Sequence, residues 1–382
     1  MTTTGLKTVS SQSTVTAADA AAGIRAMHKG DIDAAETLFS AAFRKKTPPA
    51  GSELRAYIAS LFFDSPPYTT DNGSIVHDDG NGNIDSAIFA LPMTFHTVDR
   101  TAVARLLCAF VSSGAKGALG AARLARNVRA TQQDMCFSDT SSATSADHCI
   151  AAGGIILPIQ SLDWHRVFQP VAALALRLQK RINLPGIDLM LPLCRMFDTA
   201  LAKWKPGFRP VGDFGFQCKL EEPSAFFEHI APMTRRFAIR PEWRKIEFDW
   251  LIEKAKLNRK LGKLQCGIVE DRQGTVIGAF LFFGNKKRVA TVLNILCQPG
   301  KELDVTREMF AFLNIAGHAT SQGMAQPFLM NALGRQRLMS FRHRGYFCIS
   351  TRHDDLKQAA LLGDIYIGGL ASEQWSRMLT DF

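Results

Sequence analysis

Lys116-Gly117-Ala118-Leu119-Gly120-Ala121 is the strongest chemical signal in this 382-residue chain. It stands between an apolar run at 104–111 (ARLLCAFV), which reads as a buried strand, and a helical pattern that continues to residue 130. A strand, a small-residue turn and a helix start together make an anion site. Backbone N–H groups point out of the first helical turn, and the helix dipole favours negative charge there. Lys116 adds a cation, and Gly114, Gly117 and Gly120 allow a phosphate close to the backbone. The same pattern also serves simply to start a helix, so it carries weight only through the elements around it.

Those elements come in a definite order. Residues 24–28 read as a short strand. Asp31 is placed as an N-cap, and Ile32, Ala35, Leu38, Phe39, Ala42 and Phe43 then recur at helical spacing. Residues 52–63 read as a second helix and 74–77 as a strand. Asp78-Asp79-Gly80-Asn81-Gly82-Asn83 is a hairpin turn. Residues 84–98 form a long strand, with a break or bulge expected near Pro92. After the glycine-rich turn and its helix come a strand at 134–138 and a helix at 143–152, the latter capped by the cluster Asp139-Thr140-Ser141-Ser142. Gly153-Gly154 ends that helix, and a final strand follows at 155–162.

This order, with Ile24-Arg25, Asp31 and the Lys116–Ala121 frame, resembles the GNAT superfamily of acyl-CoA-dependent N-acyltransferases. The resemblance implies an α/β fold of mixed sheets and a coenzyme A thioester, acetyl-CoA or another acyl-CoA, as co-substrate. In that family the turn carries Arg/Gln-x-x-Gly-x-Gly/Ala, whose amides hold the pyrophosphate. Here Lys116 replaces Arg or Gln, and Leu119 stands at a glycine position. The implied donor site comprises Phe110, Val111, Lys116, Gly117, Ala118, Leu119, Gly120, Ala121 and Ser142. The helix before Gly153 carries a tyrosine in many relatives, the proton donor to the leaving thiolate. Cys149 holds that place, with His148 beside it. Cys149 is either that donor or a small buried residue, and His148 either a base or an exposed helix residue. The central strand offers Cys108 but no carboxylate. Asp99 and Asp139 at neighbouring strand ends are the nearby acids, each also explicable as a turn or cap residue. Asp139 and Tyr346 complete the catalytic candidates.

The second half repeats the alternation. Strands are expected at 214–220, 264–269, 275–284, 288–297, 328–330 and 346–350, with helices at 224–233, 248–261 and 305–317. The turn after its apolar strand, Gln298-Pro299-Gly300-Lys301-Glu302-Leu303-Asp304, is acidic and suits a pyrophosphate poorly. The chain therefore resembles the tandem GNAT-type acyltransferases of bacteria, some of which occur with surface-polysaccharide functions. The tail at 363–378 (GDIYIGGLASEQWSRM) adds to that likeness. Expected boundaries are a disordered tail at 1–17, an N-terminal GNAT domain at 18–165, linker helices at 166–210 and a divergent GNAT-like domain at 211–382. The second domain would shape the acceptor site; Arg342, His343, Arg344, His353, Asp364 and Tyr366 are its candidates.

Composition narrows the alternatives. An apolar share of 46% supports a substantial core, and no uninterrupted apolar run is long enough to span a membrane. Eight widely spaced cysteines, without a Cys-x-x-Cys pair, suit a reducing, cytoplasmic setting and no metal. The net charge of +10, dense at 166–263, fits anionic coenzyme A; no aromatic-basic motif points to nucleic acid. Residues 171–196 are apolar with clustered cations. They read as a helix packed between domains, or as a weak contact with anionic lipid. The function expected is acyl transfer from coenzyme A to an amine of a small molecule or amino sugar. The alternative is a catalytically silent GNAT-fold binding protein.

Overall fold

A computed structural model describes residues 23–44, 51–130, 134–182, 187–210, 212, 215–285 and 289–378. The expected tail at 1–17 lies outside the described residues.

The first half runs β1 (Ile24–Ala26), α1 (Ile32–Phe43), α2 (Ser52–Phe62), β2 (Ile75–Asp78), β3 (Ile84–Thr97), β4 (Arg100–Ser112), α3 (Ala118–Ala130), β5 (Cys136–Ser141), α4 (Ala143–Ala151), β6 (Ile155–Ile156) and β7 (Leu162–Val167). Two helices follow, α5 (Pro170–Ile182) and α6 (Ile187–Trp204). The second half has β8 (Phe216–Glu221), α7 (Phe227–Thr234), β9 (Ile239–Pro241), α8 (Lys245–Lys256), β10 (Lys263–Asp271), β11 (Val276–Gly284), β12 (Val289–Cys297), α9 (Glu302–Ile315), β13 (Thr320–Met324), α10 (Met330–Gly334), β14 (Met339–His343), β15 (Tyr346–Ser350) and α11 (Asp354–Leu361).

These strands make two mixed sheets. The first has the order β1-β2-β3-β4-β5-β15-β6, with β9 also paired to β3. The second has the order β14-β7-β13-β12-β11-β10-β8. Each sheet thus takes strands from the other half of the chain: β9 and β15 join the first, and β7 joins the second. β15 lies between β5 and β6, antiparallel to both, and β7 lies between β13 and β14. The expected single strand at 155–162 is two strands that belong to different sheets, with a turn between them. Residues 327–329 form a 3-10 turn rather than a strand, and β13 and β14 were not anticipated.

Apolar alternation explains which faces are covered. Phe89, Leu91, Met93 and Phe95 of β3 pack with Leu38, Phe39, Leu54 and Leu61 of α1 and α2. On the opposite face, Ile75, Ile88 and Cys136 meet Leu124 and Val128 of α3. Asp31 occupies the N-cap position of α1, but its carboxylate makes no cap bond to the helix. It accepts from Arg25 Nη1 at 2.6 Å and from the His28 N–H at 2.8 Å, which lowers its pKa chiefly through the Arg25 bond.

Candidate active site

β4 and β5 run parallel but pair at only two positions, Arg105 with Cys136 and Leu106 with Phe137. Beyond them the strands diverge. The cause lies in the partner strand: Phe89 pairs with Ala109 and Ala90 with Leu107, so Cys108 is an extra residue, a bulge in β4. A bulged residue leaves the ladder and bends its strand. The bulge sits here rather than at Pro92, which pairs regularly with Arg105.

The splay opens a cavity of about 330 Å³. Leu107, Cys108 and Phe110 line it from β4, Ser138 and Thr140 from β5, and Ala125 and Val128 from α3. Ser142, His148 and Cys149 line it from the α4 side, and Glu373 from the C-terminal segment. Ser142 caps α4, its hydroxyl accepting the Ser145 N–H at 3.3 Å. His148 is exposed. Cys149 is buried, its Sγ 3.7 Å from the Ile349 carbonyl and 3.4 Å from Ser350 Oγ.

The turn before α3 forms where expected, with Lys116 exposed in it and making no ion pair among the described residues. Ala118 begins the helix, so its first N–H groups lack intrahelical acceptors; no acidic side chain stands in that turn. Leu119 is 64% exposed, so its side chain leaves the helix start open. The open sides of two glycines face inward: a Cβ at Gly117 would lie 2.6 Å from the Asp85 carbonyl, and one at Gly120 would meet His77 Nδ1 at 2.6 Å. Here glycine lets α3 settle against β2 and β3. Ala125 lies seven residues into the same helix, about 10 Å along its axis from Ala118, and lines the cavity.

Val111 is buried in the main core, so only its backbone is available to a ligand. Tyr346 packs with Ala146, Cys149 and Cys348 and meets the His343 ring edge-on at 4.7 Å. It is absent from the cavity wall. Asp139 is fully buried behind that wall. Its carbonyl accepts Arg344 Nη1 at 2.8 Å and its Oδ2 accepts Nη2 at 3.2 Å; Arg344 Nε also reaches Asp163 Oδ1 at 3.2 Å.

Sequence reasoning missed Glu373. The central strand has no carboxylate of its own, and this one arrives from the far end of the chain. Glu373 is 9% exposed; its carboxyl accepts a hydrogen bond from Thr140 Oγ1 and adjoins Asp139. Burial first, and then the charge of Asp139, push its pKa well above the usual carboxylate range. Burial likewise raises the Cys108 thiol, helped by Glu373 and Asp139. Cys108 is therefore held as the neutral thiol, a poor nucleophile. Among the described residues no cluster of His, Cys, Asp and Glu suits a metal ion.

The second sheet repeats this geometry. β12 pairs in parallel with β13 only from Val289 to Val292, and Leu293 is the bulged residue, between the pairs Leu281–Asn294 and Phe282–Val292. Its opening holds only about 10 Å³.

Two solved structures are similar to the chain. One is a conserved protein of unknown function from Enterococcus faecalis V583, described as a probable N-acyltransferase. It has TM-score 0.55 and 10% identity, over 89% of this chain and 73% of that one. The other is a GCN5-related N-acetyltransferase from Kribbella flavida, with TM-score 0.51 and 10% identity over 85% and 70%. The fold is GNAT-like. No protein-family model and no curated protein matches the sequence. No helix among the described residues is long and apolar enough to cross a membrane.

Proposed function

We propose that the protein is an acyl-CoA-dependent N-acyltransferase that moves an acyl group, acetyl or larger, from coenzyme A to an amine of a small molecule or amino sugar. The observation that most supports this is that the helix starting at the Lys116 turn also lines the cavity at the Cys108 bulge, through Ala125 and Val128. On this reading Lys116 and the backbone from Gly117 to Ala121 receive the pyrophosphate. Phe110, the Val111 backbone and Ser142 border the pantetheine arm. The amine attacks the thioester directly, because burial keeps the Cys108 thiol neutral. Asp139 belongs to the proton-accepting side. Cys149, with His148 at its side, lines the cavity where the thiolate leaves, and Tyr346 packs behind Cys149. No metal is required by this chemistry.

The two halves are read as tandem GNAT-like units, 18–165 and 211–382, that exchange β7 and β15 across the helices at 166–210. A cytoplasmic setting and a role with surface polysaccharide belong to the same proposal. Titrating acetyl-CoA into the protein by calorimetry tests the donor site. We expect binding, and a loss of about tenfold or more in the Lys116→Glu variant, since a charge-assisted phosphate contact contributes about 1.5–3 kcal/mol. Absence of binding to the intact protein would overturn this reading in favour of a silent fold.

One surface supports a second, independent contact. Met196, Phe197 and Trp204 of α6 are 70%, 65% and 90% exposed, and Arg195 and Lys203 lie among them. We propose that this face rests on anionic lipid. Co-sedimentation with phosphatidylserine-containing vesicles should be lost in a Met196→Glu/Phe197→Glu variant; sedimentation equal to the parent, or none by the parent, refutes the contact.

A further inference from the structure

We infer that Asp139 and Glu373 form a single acid–base unit, and that the C-terminal segment exists to deliver half of it through the closed cleft of the second sheet. This rests on the acyl-transfer reading above.

The geometry begins in the second sheet. Its splay is filled by residues 366–371. Gly368 and Gly369, both at positive φ (98° and 62°), thread past the bulge, where any Cβ would collide with Met324 or with Asn294 and the Leu293 carbonyl. Asn294 fastens the thread. Its Nδ2 donates to Tyr366 Oη at 3.1 Å and to the Gly368 carbonyl at 3.3 Å, and its Oδ1 accepts the Leu370 N–H at 2.9 Å. Gln326 Nε2 donates to the Ile367 carbonyl. Just beyond, Trp375 is fully buried, its Nε1 donating to the Leu370 carbonyl at 2.9 Å. Asn258 Nδ2 donates to the carbonyls of Trp375 and Ser376. Glu373 lies between these anchors, so it enters the first cavity on a fixed loop. Asn294, Gly368 and Gly369 are positioning residues; Glu373 lines the cavity itself.

The chemistry follows from what faces the pair. Thr140 and Asp139 come from β5, Cys108 from β4, and Arg344 from the turn before β15. Arg344 occupies Asp139 Oδ2, Oδ1 is buried without a hydrogen-bond donor among the described residues, and the Asp139 and Glu373 side chains adjoin. Two buried carboxyls in contact do not both ionise, so the pair carries one proton and one negative charge and titrates as a unit. In the reaction the amine nitrogen forms a bond to the thioester carbonyl carbon. As the C–S bond breaks, Glu373, the member that lines the cavity, gives its proton to the departing sulfur and in the same step takes one N–H proton from nitrogen, while Asp139, buried behind it, keeps the negative charge of the pair. The pair ends with one proton, as it began; the products are an amide and free coenzyme A thiol.

The test uses the full chain with acetyl-CoA as donor and hydroxylamine as acceptor, following thiol release above the uncatalysed rate. Glu373→Gln preserves a partner for Thr140. It should leave acetyl-CoA affinity within about twofold and lower turnover about 10²–10⁴-fold. A second readout separates this from damage to the fold. Glu373 is protonated in the folded chain and ionised in the unfolded chain above about pH 4.3, so wild-type stability falls as pH rises beyond that point. The stability of Glu373→Gln relative to wild type should therefore climb with pH from about 4.3 upward. Donor binding with unchanged turnover in Glu373→Gln, or a stability difference independent of pH, overturns the shared-proton unit alone. Failure of the intact protein to bind acetyl-CoA overturns the acyl-transfer reading and this inference with it.

Discussion

Replacing Gly369 by valine is expected to abolish acyl transfer while acetyl-CoA still binds. The backbone there has φ 62°, a region in which a β-branched residue is strongly disfavoured. The new side chain would also strike Asn294 Oδ1 and the Leu293 carbonyl oxygen. Neither can retreat, because Leu293 is the bulge of β12 and Asn294 holds three groups of the C-terminal segment. The segment should leave the cleft and carry Glu373 with it. We expect turnover to fall by at least about 10² and stability by about 2–4 kcal/mol. Calorimetry with acetyl-CoA, thiol release and urea unfolding measure the three quantities separately. Wild-type turnover in the variant would mean that the cleft does not hold Glu373 in place.

The second large effect is expected at Arg344. Its side chain is 3% exposed and stands between Asp139, which is fully buried, and Asp163. Burial raises the pKa of Asp163, and the Arg344 charge opposes that rise. Arg344→Met keeps the bulk and removes the charge, leaving two carboxylates without their cation. Breaking a buried pair from one side costs about 3–5 kcal/mol. The sign of the pH dependence is fixed by the carboxylates. The Arg344–Asp163 pair holds only while Asp163 is ionised, and burial lets acid protonate Asp163 before it would an unfolded aspartate. The deficit of Arg344→Met should therefore be largest near neutral pH and shrink toward pH 4. Urea unfolding across that range checks it; a deficit equal at both ends would assign Arg344 a packing role only.

Much of the first half was legible from periodicity and turn chemistry. The spacing of Ile32 to Phe43 gave α1 to the residue at its C-terminal end, and the Asp-Gly-Asn-Gly run gave the β2–β3 turn. Ser142 caps α4, and Gly153, at φ 78°, ends it. The anion-site turn likewise falls between β4 and α3. Other features are non-local and leave no trace in a short window. The β4 bulge is visible only once β3 is laid beside it. Residues 155–162 read as one strand because nothing in their side chains says that β6 and β7 enter different sheets. Glu373 looked like a polar residue in a tail; its meaning depends on Thr140 and Asp139, more than two hundred positions away. A buried Trp375 beside it was the one available hint that this tail is part of the core.

The traded strands also set the order in which this protein can be finished. β15 is the bridge between β5 and β6, yet it is made about two hundred residues after β5. Until it arrives, the edge of β5 carries unpaired backbone groups, and the second sheet in turn cannot close without β7, made long before. Neither half is a self-sufficient product of synthesis. Closure of the first sheet must wait for β15, and an exposed strand edge during that wait is open to pairing with another molecule. The same interlock, once closed, ties the fates of both sheets together, so that opening either one requires withdrawing a strand that the other half supplies.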